Sequence, residues 1–92
     1  MKPTSILINT SRGGVIDEIA LSRCLADCCI AGAALDVFED EPHITERLYT
    51  LEQVVLTPHI GTATIDARIA MSREAVENIR NFFAGTPTNV VN

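Results

Sequence analysis

The chain has no apolar run near the ~20 residues needed to cross a bilayer, and no run of lysine or arginine. The first absence excludes a membrane-spanning helix. Ile6-Leu7-Ile8, directly behind Met1-Lys2-Pro3-Thr4, is also too short for a signal-peptide core, so the cytoplasm is the expected location. The second absence, with seven basic against twelve acidic residues and a net charge of −5, argues against nucleic acid or an anionic membrane surface as partner. A paired cysteine framework is missing as well. Cys24, Cys28 and Cys29 fall in one predicted helix with no second ligand cluster beside them. They read as reduced thiols used as small apolar residues, and no metal site is expected.

What is present is ordinary for a globular protein: 92 residues, 47% hydrophobic and 21% charged. That is one small domain, or a piece of a larger one. A chain this short buries little more than ~60% of its unfolded surface, so its core is marginal.

Ser5 to Asn9 is a nearly continuous apolar run, which suits a strand buried on both faces. Thr10 to Gly14 is a turn. Asp17 is a good N-cap and Glu18 favours the positive end of the helix dipole, which predicts a helix to about Cys29. Ile30 to Val37 reads as a second buried strand, and Thr45 to Leu51 as a short helix. Val54-Val55-Leu56 is a third strand. Thr62 or Thr64 caps a last helix running to about Phe83, where Gly85 stops it. Its apolar stripe is Ile65, Ile69, Val76, Ile79 and Phe83, with Arg73 and Glu77 off the stripe and spaced to pair weakly. Thr86 to Asn92 is a polar tail. Strands alternating with helices predict an α/β fold: a parallel sheet of about three strands with right-handed crossovers and flanking helices.

Chemistry in such sheets gathers at the carboxyl ends of the strands, and there Arg12, Glu41 and His59 fall. Each has a bland reading alone: a solvated turn arginine, an acidic loop residue, a space-filling histidine. Asp36 is harder to dismiss, because a carboxylate ending an apolar strand needs a partner. Together they make a set. A guanidinium takes a carboxylate in a two-pronged grip and polarises a neighbouring carbonyl. An imidazole suits proton transfer near neutrality, and a carboxylate on its second ring nitrogen fixes the tautomer. Spacing alone leaves open whether Glu41 or Glu39 faces His59.

Three segments make the set specific: Asn9-Thr10-Ser11-Arg12-Gly13-Gly14, Ala34-Leu35-Asp36-Val37-Phe38-Glu39-Asp40-Glu41-Pro42 and Thr57-Pro58-His59-Ile60-Gly61-Thr62. They resemble, in order, the signatures of the D-isomer-specific 2-hydroxyacid dehydrogenases, a nicotinamide-dependent family, and the likeness runs along essentially the whole chain. The resemblance implies that Arg12 binds a small 2-keto or 2-hydroxy acid, that His59 is the acid/base and that Glu41 pairs with it. It implies NAD or NADP as cofactor, with Asp36 at its nicotinamide end and Thr10, Ser11, Arg12, His59 and Gly61 also against it.

One departure is plain. Gly13, Gly14, Gly32, Gly61 and Gly85 form no G-x-G-x-x-G spacing, so no pyrophosphate loop is present. The resemblance therefore implies that residues 1–92 are the C-terminal half of a dinucleotide-binding domain, a partial Rossmann-like sheet without the substrate domain. Such a segment is expected to be inactive alone. Ile6-Leu7-Ile8 becomes an open sheet edge, and self-association is expected, as a homo-oligomer or through that edge. The alternative function is a non-catalytic interaction module pairing through the edge or the helices. A phosphoacceptor domain using Asp36 is a distant third, since no acidic cluster early in the chain would hold magnesium.

Overall fold

The computed structural model describes residues 1–91, in two compact units. The first unit, Met1–Gly61, contains a three-stranded parallel sheet: β1 (Ile6–Asn9), β2 (Gly32–Leu35) and β3 (Val54–Leu56), in that spatial order. Helix α1 (Glu18–Ala26) joins β1 to β2, while β2 reaches β3 through a long connection whose regular structure is a 3-10 turn at Glu46–Thr50. The second unit begins at Thr62 and holds α2 (Ile65–Phe83).

Register explains where the core sits. Ile8, Ala34 and Val55 align across the sheet, as do Leu7, Ala33 and Val54 one residue earlier. Side chains alternate faces along a strand, and only the second row packs on the core of Leu21, Leu25, Ile30, Ala33, Leu35, Phe38 and Leu48. Ile6 and Ile8 are 63% and 69% exposed, which corrects the expectation that this strand is buried on both faces. Its apolar run is continuous in sequence, but the described residues of its unit cover one face.

The second correction concerns α1. Asp17 caps it as expected, its carboxylate accepting the Ala20 N–H at 2.8 Å, but the helix ends at Ala26 and leaves Cys28 and Cys29 outside. Cys28 takes a left-handed conformation at φ 54°, its N–H donating to the Leu25 carbonyl and that of Cys29 to the Cys24 carbonyl. That double closure is a Schellman turn, usually built on glycine. Cysteine continued the apolar pattern in sequence, and so hid the stop. Cys24 packs against the core, whereas Cys28 and Cys29 are exposed rather than serving as buried apolar residues.

The second strand is shorter than Ile30 to Val37, although ladder bonds continue past both ends, from Ala31 N–H to Ser5 O and from Asp36 N–H to Asn9 O. In the second unit Thr64, not Thr62, caps α2 by accepting the Ala67 N–H, and Gly85 closes it at φ 76° in a second Schellman turn. The expected stripe is present on α2, with no residue of the helix buried. Arg73 and Glu77 form no ion pair among the described residues; tethering two exposed long side chains costs about what the attraction returns. Thr88 and Asn89 fold back on α2, bonding Asn78, Asn81 and Glu74.

Candidate active site

Three loops leave the carboxyl ends of β1, β2 and β3, and the first and third are each shaped by a polar side chain at or just past a strand end. Asn9, at 5% exposure, shapes the first. Its amide donates to the Arg12 carbonyl at 2.9 Å, and its oxygen accepts both the N–H and the hydroxyl of Ser11, at 3.1 and 3.0 Å. Thr10, Ser11 and Arg12 are thereby displayed to solvent. Gly13 then lies against the Phe38–Glu39 peptide so closely that a Cβ there would overlap Phe38 C and O and Glu39 N. Only glycine permits this seat, and it sets the arginine loop directly on the glutamate loop. Arg12 Nη1 donates to the Ser11 carbonyl at 2.7 Å, and the guanidinium has no ion-pair partner among the described residues.

Asp36, just past β2, shapes the third loop from a distance. One carboxylate oxygen accepts the Thr57 hydroxyl at 2.6 Å and the Ile60 N–H at 2.9 Å; the other accepts the Gly61 N–H at 2.9 Å. These bonds, the Thr57 one largest, hold its carboxyl below the usual carboxylate range. They also bracket His59, whose backbone is left-handed at φ 53°. A non-glycine residue there stores of order 1–3 kcal/mol unless its surroundings over-determine it, and such strain concentrates at functional sites. The Asp36 clamp is that over-determination.

Held in this way, His59 presents Nδ1 to Glu41 Oε2 at 2.8 Å. The other oxygen of Glu41 accepts the Phe38 N–H at 3.0 Å. Glu41 is held below the ordinary glutamate value, first by the His59 hydrogen bond and then by Phe38, with the charges of His59 and Arg12 adding. The carboxylate therefore feels both other members of the predicted set. His59 and Glu41 are about half and one-third exposed, and with Phe38, Pro42, Ile44 and Pro58 they line a mostly apolar cavity of about 150 Å³. Nδ1 bonded to a carboxylate leaves Nε2 as the ring nitrogen open to another partner.

The Glu39 ambiguity resolves in favour of Glu41. Glu39 Oε2 accepts the Glu18 N–H at 3.1 Å, capping α1 instead of meeting the histidine. Asp36, at 7% exposure with both oxygens engaged, is not presented as a phosphoacceptor. Sequence reasoning missed Asn9, Glu18 and Thr57. Asn9 carried the same signal as Asp36, a polar side chain ending an apolar strand. Glu18 gave none, because its partners Glu39 and Thr45 lie in a distant loop.

The sequence profile described as D-isomer specific 2-hydroxyacid dehydrogenase, NAD binding domain, matches residues 1–61, the segment that carries all three loops. The glyoxylate reductase of Thermococcus litoralis is 53% identical over 93 aligned residues, covering 100% of this chain and 28% of that protein. Among solved structures, the NADPH-dependent glyoxylate/hydroxypyruvate reductase of Sinorhizobium meliloti with NADP and malonate matches at a TM-score of 0.84 and 42% identity, covering 95% of this chain and 28% of the other. The D-mandelate dehydrogenase of Rhodotorula graminis matches at 0.81 and 37%, covering 100% of this chain and 28% of its own. The chain thus spans under a third of the length of these relatives. Its parallel sheet, its three loops and these likenesses agree: the chain belongs to the D-isomer-specific 2-hydroxyacid dehydrogenase family, in its NAD-binding domain.

Proposed function

We propose that this chain is the C-terminal part of the nicotinamide-dinucleotide-binding domain of a cytoplasmic oxidoreductase, acting between NAD or NADP and a small 2-keto or D-2-hydroxy acid. The carrying observation is the 2.8 Å bond between His59 Nδ1 and Glu41 Oε2 beside a cavity. In this reading Arg12 grips the substrate carboxylate with the guanidinium edge that Ser11 leaves free. The His59 imidazolium donates its Nε2 proton to the carbonyl oxygen on reduction and recovers it on oxidation. Glu41 holds the ring in the required orientation through Nδ1. When bound, the nicotinamide supplies or accepts the hydride.

The rim suits that end of the cofactor. Thr10 and Ser11 are exposed hydroxyl residues, and Gly61 adds no side chain beside Asp36, where a Cβ would sit 3.1 Å from the carboxylate. Thr10, Ser11, Arg12, His59 and Gly61 are assigned to it, with Asp36 acting through the loop it holds. The pyrophosphate has no glycine-rich cradle among these residues, so the chain by itself is expected to be inactive.

Exchange of this chain for the matching segment of the Thermococcus litoralis glyoxylate reductase tests the reading. The chimera is expected to reduce glyoxylate, and His59→Ala within it to lower kcat by ~10²–10⁴-fold, the range of a lost general acid. A folded chimera indifferent to His59→Ala and Arg12→Ala would refute the assignment. The second reading, an interaction module, is favoured by one observation: β1 ends the sheet with Ile6 and Ile8 exposed. Saturable NADH fluorescence on titrating the chain separates the two in favour of the first.

A further inference from the structure

Among the described residues, Glu18 is the one buried ionisable residue that the proposed chemistry leaves unused. It is 4% exposed at the first position of α1 and has no cationic partner among the described residues. A carboxylate so placed is costly to bury unless donors surround it. Three donors do: Oε1 accepts the Glu39 N–H at 2.7 Å, and Oε2 accepts the Thr45 N–H at 3.2 Å and the Thr45 hydroxyl at 2.8 Å. The Glu18 N–H in turn donates to Glu39 Oε2. The positive end of α1 adds to this support.

The placement of those donors matters more than their number. Glu39 and Thr45 are the two ends of the loop that carries Glu41, so one carboxylate ties both ends. Between them the loop doubles back, the His43 N–H donating to the Asp40 carbonyl at 2.7 Å. At the first end, successive amides serve two different carboxylates: Phe38 N–H goes to Glu41, and Glu39 N–H to Glu18. The peptide on which Gly13 seats the Arg12 loop is that same Phe38–Glu39 peptide. Untying Glu18 frees the Phe38–Glu39 peptide, which supports the arginine loop and adjoins, across the Phe38 Cα, the Val37–Phe38 peptide whose N–H holds Glu41.

We propose that Glu18 is a positioning residue for the Glu41–His59 pair, acting from the helix terminus through the Glu39–Thr45 loop. The role it gives that pair rests on the functional reading above, but the geometry does not.

The test is a carboxyl-detected NMR titration of the whole chain as wild type, Glu18→Gln, Thr45→Val and Thr45→Ser. Glutamine at 18 turns a donor toward one of the loop amides, while valine at 45 removes only the hydroxyl bond. In the wild type Glu41 titrates below the ordinary value. Glu18→Gln is expected to lose that depression and to speed Phe38 and Glu39 amide exchange by ~10-fold or more. Thr45→Val is expected to lose part of it, and Thr45→Ser to restore it. The internal control is Asp36, depressed chiefly by its bonds from Thr57, Ile60 and Gly61 and least by the His59 charge, which moves little if the effect is local. An unmoved Glu41, or Glu41 and Asp36 rising together, would overturn the proposal. Should Glu18→Gln unfold, the threonine pair decides by the same readings. An inactive chimera with a shifted Glu41 would remove the functional reading and leave this one standing.

Discussion

At the scale of the residue, two carboxylates dominate the site, and the same hydrogen bonds that shape it tie its stability to pH. Asp36 and Glu41 both titrate lower in the fold than in the open chain, from ordinary values of 3.8 and 4.5. As pH falls the unfolded chain takes up these protons first. The stability they add is complete above the ordinary value of each and drains away as pH drops through the lower folded one. Its window therefore lies on the acid side of 4.5 for Glu41 and of 3.8 for Asp36. His59→Ala removes the largest cause for Glu41, and Asp36→Asn removes the deeper window outright. Denaturant midpoints followed down the acid range should fall less steeply in each variant than in the wild type; parallel curves would disprove the linkage. Arg12, Glu41 and His59 were legible as candidates because few side chains can grip a carboxylate or shuttle a proton at neutral pH. Glu18 was not, since in a linear sequence a glutamate after an N-cap looks the same whether it faces water or a loop some twenty residues on.

At the scale of the element, interiors were readable and ends were not. Apolar periodicity located α1 and all three strands, but helix ends are set by single backbone conformations, and Cys28 adopts one that its side chain does not advertise. A left-handed residue with a Cβ costs ~1–2 kcal/mol relative to glycine. Cys28→Gly is therefore expected to stabilise, by about 1 kcal/mol once the greater freedom of glycine in the unfolded chain is offset, which raises Tm by ~4–8 °C in a domain of this size. An unchanged or lower Tm on thermal scanning would show the turn to be unstrained. Gly13 presents the opposite case. Its seat on the Phe38–Glu39 peptide leaves no room for a methyl group, so Gly13→Ala must push two loops apart. The expected loss is ~1–3 kcal/mol, the usual range for overpacking, together with loss of the Arg12 influence on Glu41. Equal stability and an unmoved Glu41 titration would mean the loops are not in contact. That contact was invisible in sequence, where the double glycine announced a turn but not what the turn rests on.

At the scale of the molecule, the sheet has one packed face, and its first strand is an edge. Sequence pattern read the first strand as buried on both faces and the second as buried, which is the habit of parallel sheets with helices on each face. The pattern records what the strands are built for, while the burial records what the described residues supply. Ile6 and Ile8 on β1 and Val55 on β3 stand more than 60% exposed, in a chain whose small size gives it little stability in reserve. An edge with free backbone groups beside exposed β-branched residues is a template for pairing with a second copy. Sedimentation should therefore show an average mass that climbs above 10.0 kDa as concentration rises. Ile8→Lys places a charge on that edge at a position whose side chain contributes nothing to the core, so the fold should survive. It also moves the net charge from −5 toward zero, which weakens general repulsion between copies. A fall in self-association in this variant then cannot come from general charge repulsion and assigns the pairing to β1. If the wild type sediments as a monomer throughout, or the lysine variant associates as strongly as before, the edge is not a pairing surface, and the interaction-module reading loses the observation that favours it.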